Sequence, residues 1–375
     1  MRTLRILSLL LAGFILMACS SQELSSPVTQ ITTASPLATS TAEILAVFPT
    51  PEAYRLRPGE LVLASSPGDI PAITASEDLF VSAVDGDLEW EDEELVVGVA
   101  INGEARAYPI RLLSLHEIVN DKVGGQAILV TWCPLCYSAI VFDRNVEGQE
   151  LNFGVSGFLL RNNLVMYDLR SETLWSQALA QGVRGAYDRV RLEFIPSQLT
   201  TWAKWKALHS DTRVLSAVQL GKESHEVVDP YVGYYASGSL GFGGQDSLDD
   251  RLAPKALVLG LRIGEEQKAY PFDMLRNLGL INDFVGDEAV FLAYNAELNN
   301  ASAFSGRVGD DILTFELDDL GVFRDVETGS IWNIVTGLAI DGPLSGKQLT
   351  QLSAPIIFWF AWSDIFPQSG LFQAP

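Results

Sequence analysis

Two of the chain's three cysteines stand two residues apart in Thr131-Trp132-Cys133-Pro134-Leu135-Cys136-Tyr137-Ser138. The third, Cys19, falls in an N-terminal stretch of different character, so the thiol chemistry of any folded domain is concentrated in this one C-x-x-C. Two thiolates at that spacing chelate a soft ion, Zn²⁺ or Cu(I). His116, carried on a helix ahead of the strand, is the expected third ligand, and Met166, His209, Asp168 or water the fourth. The same pair supports two other chemistries. Trp132-Cys133-Pro134-Leu135-Cys136 looks like a thioredoxin redox pair, with His116 as proton acceptor. A structural disulfide in a non-catalytic envelope binding protein is the third reading. Tyr137 stands where haem attachment needs histidine. Whether the protein is an enzyme stays open at this level.

Elements that must position these groups follow from local pattern. Leu95–Ile101 and Glu104–Tyr108 read as strands around Asn102-Gly103, a strong hairpin signal. Pro109 opens an amphipathic helix over 110–119, with apolar residues at 112, 115, 118 and 119. A strand then delivers Cys133, the C-x-x-C forms a tight turn, and 139–145 returns as a strand. Further strands are expected over 151–155, 164–168 and 173–177, and a helix with Trp202 and Trp205 on one side over 200–208.

The chain also contains a hidden duplication. Residues 95–153 and 257–315 align without a gap, Tyr108 falling on Tyr270 at a fixed offset of 162. Roughly 19 of 59 positions are identical. Beyond Asp168 the offset becomes 157, so that Trp175 falls on Trp332 and Trp205 on Trp362, leaving five extra residues in the first copy between Phe153 and Asp168. Ser156, Asn162, Asn163, Tyr167 and Asp168 flank that excess and form the candidate pocket wall. What differs between the copies is chemistry. Cys133 becomes Asn295, Cys136 Leu298, His116 Leu278 and His209 Phe366. Glycines, prolines and tryptophans persist. The expected fold is α+β and β-rich, two tandem related repeats with short helices, the second a degenerate copy. Its boundaries are 52–209 for the first repeat, 210–254 for a connector with a glycine-rich loop, and 255–375 for the second.

Composition bounds the partners. The 375 residues carry a net charge of −22, and 48% are hydrophobic, enough for substantial cores. That acidity opposes nucleic-acid binding, which needs cationic neutralisation of phosphates. At the N-terminus, Arg2 and Arg5 precede an apolar run too short to span a bilayer. Leu16-Met17-Ala18-Cys19 then resembles a lipobox, making 1–19 a lipoprotein signal with Cys19 lipidated. Residues 20–51, rich in Ser, Thr and Pro, read as a flexible tether. The expected partner is membrane lipid through Cys19, and the expected address is the extracytoplasmic face of the cell membrane.

Leu115-His116-Glu117-Ile118-Val119-Asn120-Asp121, Cys133-Pro134-Leu135-Cys136 and Phe153-Gly154-Val155-Ser156-Gly157 together form a specific motif set. Leu164-Val165-Met166-Tyr167-Asp168, Leu174-Trp175-Ser176-Gln177 and the Trp202–His209 stretch continue it. This set resembles the domain of unknown function 3179, a family of uncharacterised prokaryotic proteins, from about Leu95 to Asp229 and more loosely to the C-terminus. The resemblance implies export or membrane association and carries no established activity.

Overall fold

The computed structural model describes residues 54–242, 248–318 and 321–374. Cys19, the signal and the tether lie outside the described residues. Among the described residues no helix is long and apolar enough to cross a membrane.

The first half is built on β1 (Leu95–Ile101) and β2 (Glu104–Pro109), an antiparallel hairpin in register Ile101 to Glu104. Its turn places Asn102 at φ +50° and Gly103 at φ +83°, the double left-handed geometry that the Asn-Gly pair favours. Helix α1 (Ile110–His116) follows directly from Pro109. It is shorter than its apolar spacing predicts, because Glu117 takes a left-handed conformation and its N–H caps the Leu113 carbonyl. The chain then enters β3 (Ile118–Val123), β4 (Gln126–Cys133) and β5 (Ser138–Asp143), an antiparallel meander. Strands β6 (Phe153–Leu160), β7 (Asn163–Asp168), β8 (Leu174–Ser176) and β9 (Gln181–Arg184) form a second meander, edged by Leu61–Leu63. Helix α2 (Trp202–Leu208) returns over the β1–β2 sheet, and α3 (Val232–Ala236) lies in the connecting segment.

The second half runs through β10 (Leu257–Ile263), β11 (Glu266–Pro271), α4 (Phe272–Leu278), β12 (Leu280–Val285), β13 (Glu288–Asn295) and β14 (Asn300–Ser305). It ends in α5 (Trp359–Ile365). The protein is thus a mixed α+β fold, strand-rich, with several sheets and few short helices. Local contacts recur between the halves. Asn120 exchanges two hydrogen bonds with the Phe153 backbone, and Asn282 exchanges the same two with Phe315. Asp168 accepts from the Trp175 indole at 3.1 Å, and Asp325 from Trp332 at 2.8 Å. Asp168 is therefore committed to a strand turn rather than to a pocket wall.

The five-residue excess of the first half lengthens the β6–β7 hairpin instead of forming a surface loop. Arg161 and Asn162 make its tip at φ +50° and +64°, and Asn162 and Asn163 are buried there. Each half also has a glycine beneath a tryptophan. A Cβ on Gly98 would sit 2.3 Å from the Trp205 ring, and one on Gly260 2.2 Å from the Trp362 ring. These rings are fully buried or nearly so, with no free space to retreat into. Gly98→Ala and Gly260→Ala should each cost about 1–3 kcal/mol through overpacking. Denaturant unfolding of the single variants checks this, and a variant as stable as wild type would contradict the packing.

Candidate functional site

Cys133 forms the last ladder pair of β4 with Ser138 of β5, and Pro134–Tyr137 makes the turn between them. The Cys136 N–H returns to the Cys133 carbonyl at 3.2 Å, and Tyr137 turns the chain at φ +56°. The turn points into the body of the protein, against the second half. The Phe358 N–H donates to the Cys136 carbonyl at 2.9 Å, and both sulfurs belong to an apolar cluster that includes Trp359, Trp362 and Phe366.

Cys133 is 2% exposed and Cys136 0%. Both are free thiols. Cys136 donates to the Asn162 carbonyl at 3.1 Å, and the Asn163 amide reaches the same sulfur at 3.6 Å. Behind them lies a satisfied polar network. Asn163 donates to Gln177 at 2.9 Å, Ser138 donates to Gln177 at 3.0 Å, and Gln177 donates to Thr131 at 2.9 Å. Burial pushes the Cys136 thiol well above its usual range, and the neighbouring Cys133 adds to that.

These facts overturn the three thiol readings. Among the described residues, no group of three His, Cys, Asp or Glu side chains could hold a metal ion, so the Zn or Cu centre of Cys133, Cys136 and His116 does not form. His116 is spent elsewhere, its Nδ1 donating to the Pro71 carbonyl at 2.7 Å. Met166 is wholly buried in the apolar cluster, and His209 packs at a tilt against Trp205 at 4.1 Å, as Phe366 does against Trp362 at 4.5 Å. His209 borders a surface depression of about 590 Å³ with Glu104 and Asp211, where Arg213 is already paired with Glu77. The redox reading fails because exchange needs an accessible, acidified thiol, and Cys136 is neither. The structural disulfide fails because the sulfurs are not bonded. Of the other pocket candidates, the Ser156 hydroxyl is turned back onto the Val165 carbonyl, and the Tyr167 ring covers Gly154.

The residue that sequence reasoning passed over is Glu117. It is 8% exposed, and among the described residues no donor contacts its carboxylate. Its φ is +57°, which costs an L-residue about 1–2 kcal/mol. The matching residue of the second half is Gly279, at φ +74°, which adopts this backbone freely. Burial alone raises the Glu117 carboxyl to about 7. Beside it, His116 keeps a buried Nε2 without a partner, and burial lowers its basicity against the opposing Pro71 hydrogen bond. The offset comparison held this signal, since Glu117 against Gly279 is a carboxyl placed where glycine serves the backbone better.

The segment 229–242 covers this region. Tyr231 is pushed up to about 12, by burial first and then by Glu117, Cys133 and Asp229. Tyr137 packs edge-on to Trp132 and to Tyr235, each at 5.2 Å. The Tyr235 hydroxyl is buried without a hydrogen bond of good geometry. Tyr234 donates to the Leu135 carbonyl at 2.8 Å and accepts from Gly241, while the Phe242 N–H donates to the Asn162 side chain. The segment is therefore fastened to both the C-x-x-C turn and the hairpin tip.

The fold is mixed α+β and strand-rich, with a buried carboxyl at the end of α1. The chain belongs to the family described as protein of unknown function, DUF3179, whose signature matches residues 67–369. No curated protein and no solved structure matches it.

The raised Glu117 makes a signed prediction. The folded state holds this proton from the unfolded value of 4.5 up to about 7, so stability falls as pH rises through that window. Above it the buried charge costs about 3 kcal/mol. Glu117→Gln should stabilise the protein at pH 8 by up to that amount and change little at pH 4. Equal unfolding midpoints for both proteins at pH 8 would show that Glu117 titrates normally.

Proposed function

We propose that the protein is a proton-transfer protein whose working group is the Glu117 carboxyl. One observation carries this reading: a buried carboxyl without a donor stands on left-handed backbone where the second half has glycine. Strain and desolvation that no local contact offsets are what a preorganised general acid or base requires. Near neutral pH such a group both donates and accepts. Tyr231 feels the Glu117 charge and would help orient a small ligand beside it. A probe independent of the natural substrate is the base-promoted ring opening of 5-nitrobenzisoxazole, in which loss of the C3 proton accompanies N–O cleavage to a cyanophenolate. Wild type should accelerate it with a rate that rises through pH 7, and Glu117→Gln should abolish the acceleration. Equal rates for the two proteins would remove the assignment.

In the same reading the two halves are tandem copies, 52–209 and 255–375 joined by 210–254, and the second is a buttress without the acid–base group. The paired Asp–Trp, Asn–Phe and Gly–Trp contacts support this. The address we propose is extracytoplasmic, with lipid on Cys19 and 20–51 as tether, on the strength of the N-terminal sequence. Radiolabelled palmitate should be incorporated in cells by wild type and not by Cys19→Ser. Equal labelling of both would refute the lipid attachment.

A further inference from the structure

We infer that the open edge of β12 (Leu280–Val285) binds an extended peptide segment of a partner protein, added to the sheet as a parallel strand. Glu117 takes no part in this surface. The first half shows what the matching edge accepts.

There the sheet does not end at β3. The strand Ile73–Thr74 lies beyond it, parallel, with Ile73 opposite Val119 and Thr74 opposite Asn120. The Ala75 N–H donates to the Asn120 carbonyl at 2.8 Å, and the Asn120 side-chain amide donates to the Ile73 carbonyl at 3.3 Å. His116 fastens the same segment at the Pro71 carbonyl, and Glu77 farther along it pairs with Arg106. Under this cover His116 is 9% exposed and Asn120 2%.

In the second half the sheet runs from Gln351–Leu352 through β14 and β13 to β12 and stops. The Tyr294 N–H donates to the Gly279 carbonyl at 2.9 Å, which sets the alternation along β12. Leu280, Asn282 and Phe284 therefore turn their backbone N–H and C=O groups outward. Among the described residues no strand pairs with that side. Leu278, at the position of His116, is 45% exposed, and Leu317 is 38% exposed where Val155 is 3%. Asn282 is exposed as well.

Bare edges are ordinarily blunted by lysine, proline or a bulge. β12 has none of these, and its register against β13 is unbroken. Its one charge, Asp283, is tied to Lys268 at 2.6 Å and to the Tyr270 hydroxyl at 3.0 Å. The covered strand β3 carries Lys122, whereas the open strand carries Phe284 at the same place, 55% exposed. An apolar side chain beside unpaired backbone is what an added strand requires.

Ile73–Thr74 gives the direction of the incoming strand. Charge favours a short segment over a second copy, because two chains of −22 repel one another. Lys268, standing where Arg106 meets Glu77, keeps a quarter of its side chain exposed and offers a cation to a carboxylate. The segment accordingly carries an apolar residue opposite Ile281 and an acidic residue four positions later, the spacing of Ile73 and Glu77.

The test is fluorescence anisotropy of the full-length protein with a labelled peptide of residues 70–78, the first half's own edge segment, as the probe. It should bind saturably at submillimolar concentration. Methylating the peptide nitrogen at Ala75 removes one backbone donor and should weaken binding about tenfold. Phe284→Lys in the protein should weaken it at least as much, with an unchanged unfolding midpoint because the ring is exposed. Glu77→Lys in the peptide should cost about threefold. Lys122→Ala should leave binding unchanged, and Glu117→Gln should too, so this surface and the proton-transfer reading stand or fall separately. Absence of saturable binding, or binding indifferent to the methyl group or to Phe284→Lys, would overturn the assignment. Sedimentation of the protein alone as a dimer that Phe284→Lys returns to monomer would give the edge to a second copy and overturn it equally.

Discussion

The left-handed backbone at residue 117 is the constraint from which the rest follows. It stops α1 after seven residues and reverses the chain into β3. The Glu117 N–H caps the helix at the Leu113 carbonyl, and its own carbonyl accepts from Trp132 at 2.8 Å. One residue thereby fixes both the end of the helix and the register of β3 against β4, which sets where the C-x-x-C turn emerges. Residue 279 does the same between α4 and β12, where its N–H caps Leu275 and its carbonyl accepts from Tyr294. Glycine satisfies this geometry without strain. Glutamate does so only against strain and desolvation, and that contrast gives the residue its meaning.

The thiol pair has a different role. Its sulfurs close an apolar seam between the halves, and their hydrogens are taken up by the Asn162 carbonyl at the lengthened hairpin tip. A neutral thiol suits that position because it packs as a small hydrophobe yet still donates weakly. The second half has Asn295 and Leu298 at the matching turn, where the Asn295 side chain accepts from the Leu298 N–H at 3.0 Å. The Leu298 carbonyl accepts from the Thr200 hydroxyl at 2.7 Å, so this turn too is buried against the other half, without thiols.

Much of the scaffold was legible in the sequence. The Asn102-Gly103 hairpin, the helix after Pro109, the strand pair around the C-x-x-C and the helix bearing Trp202 and Trp205 all follow from local pattern, and local pattern is set by steric and hydrophobic periodicity. Other features were not. The helix at 110–119 reads longer than it is because Ile118 and Val119 continue its apolar spacing while belonging to β3. The excess near Asn162 reads as a loop because strand pairing is non-local. His116 and Glu117 sit side by side in one motif, and sequence alone favours the imidazole as the reactive group, since a lone glutamate is ordinarily a solvated one.

What the sequence by itself determined is the set of elements, the concentration of thiols in one turn and the contrast between halves, since these depend on residue types and fixed spacings. Tertiary structure alone decided which chemistry those residues can perform. Packing the second half against the turn at Cys136 buried both thiols among apolar side chains. Burial at the end of α1 raised the Glu117 carboxyl. Desolvation is a property of what surrounds a group, and a linear chain does not state its surroundings.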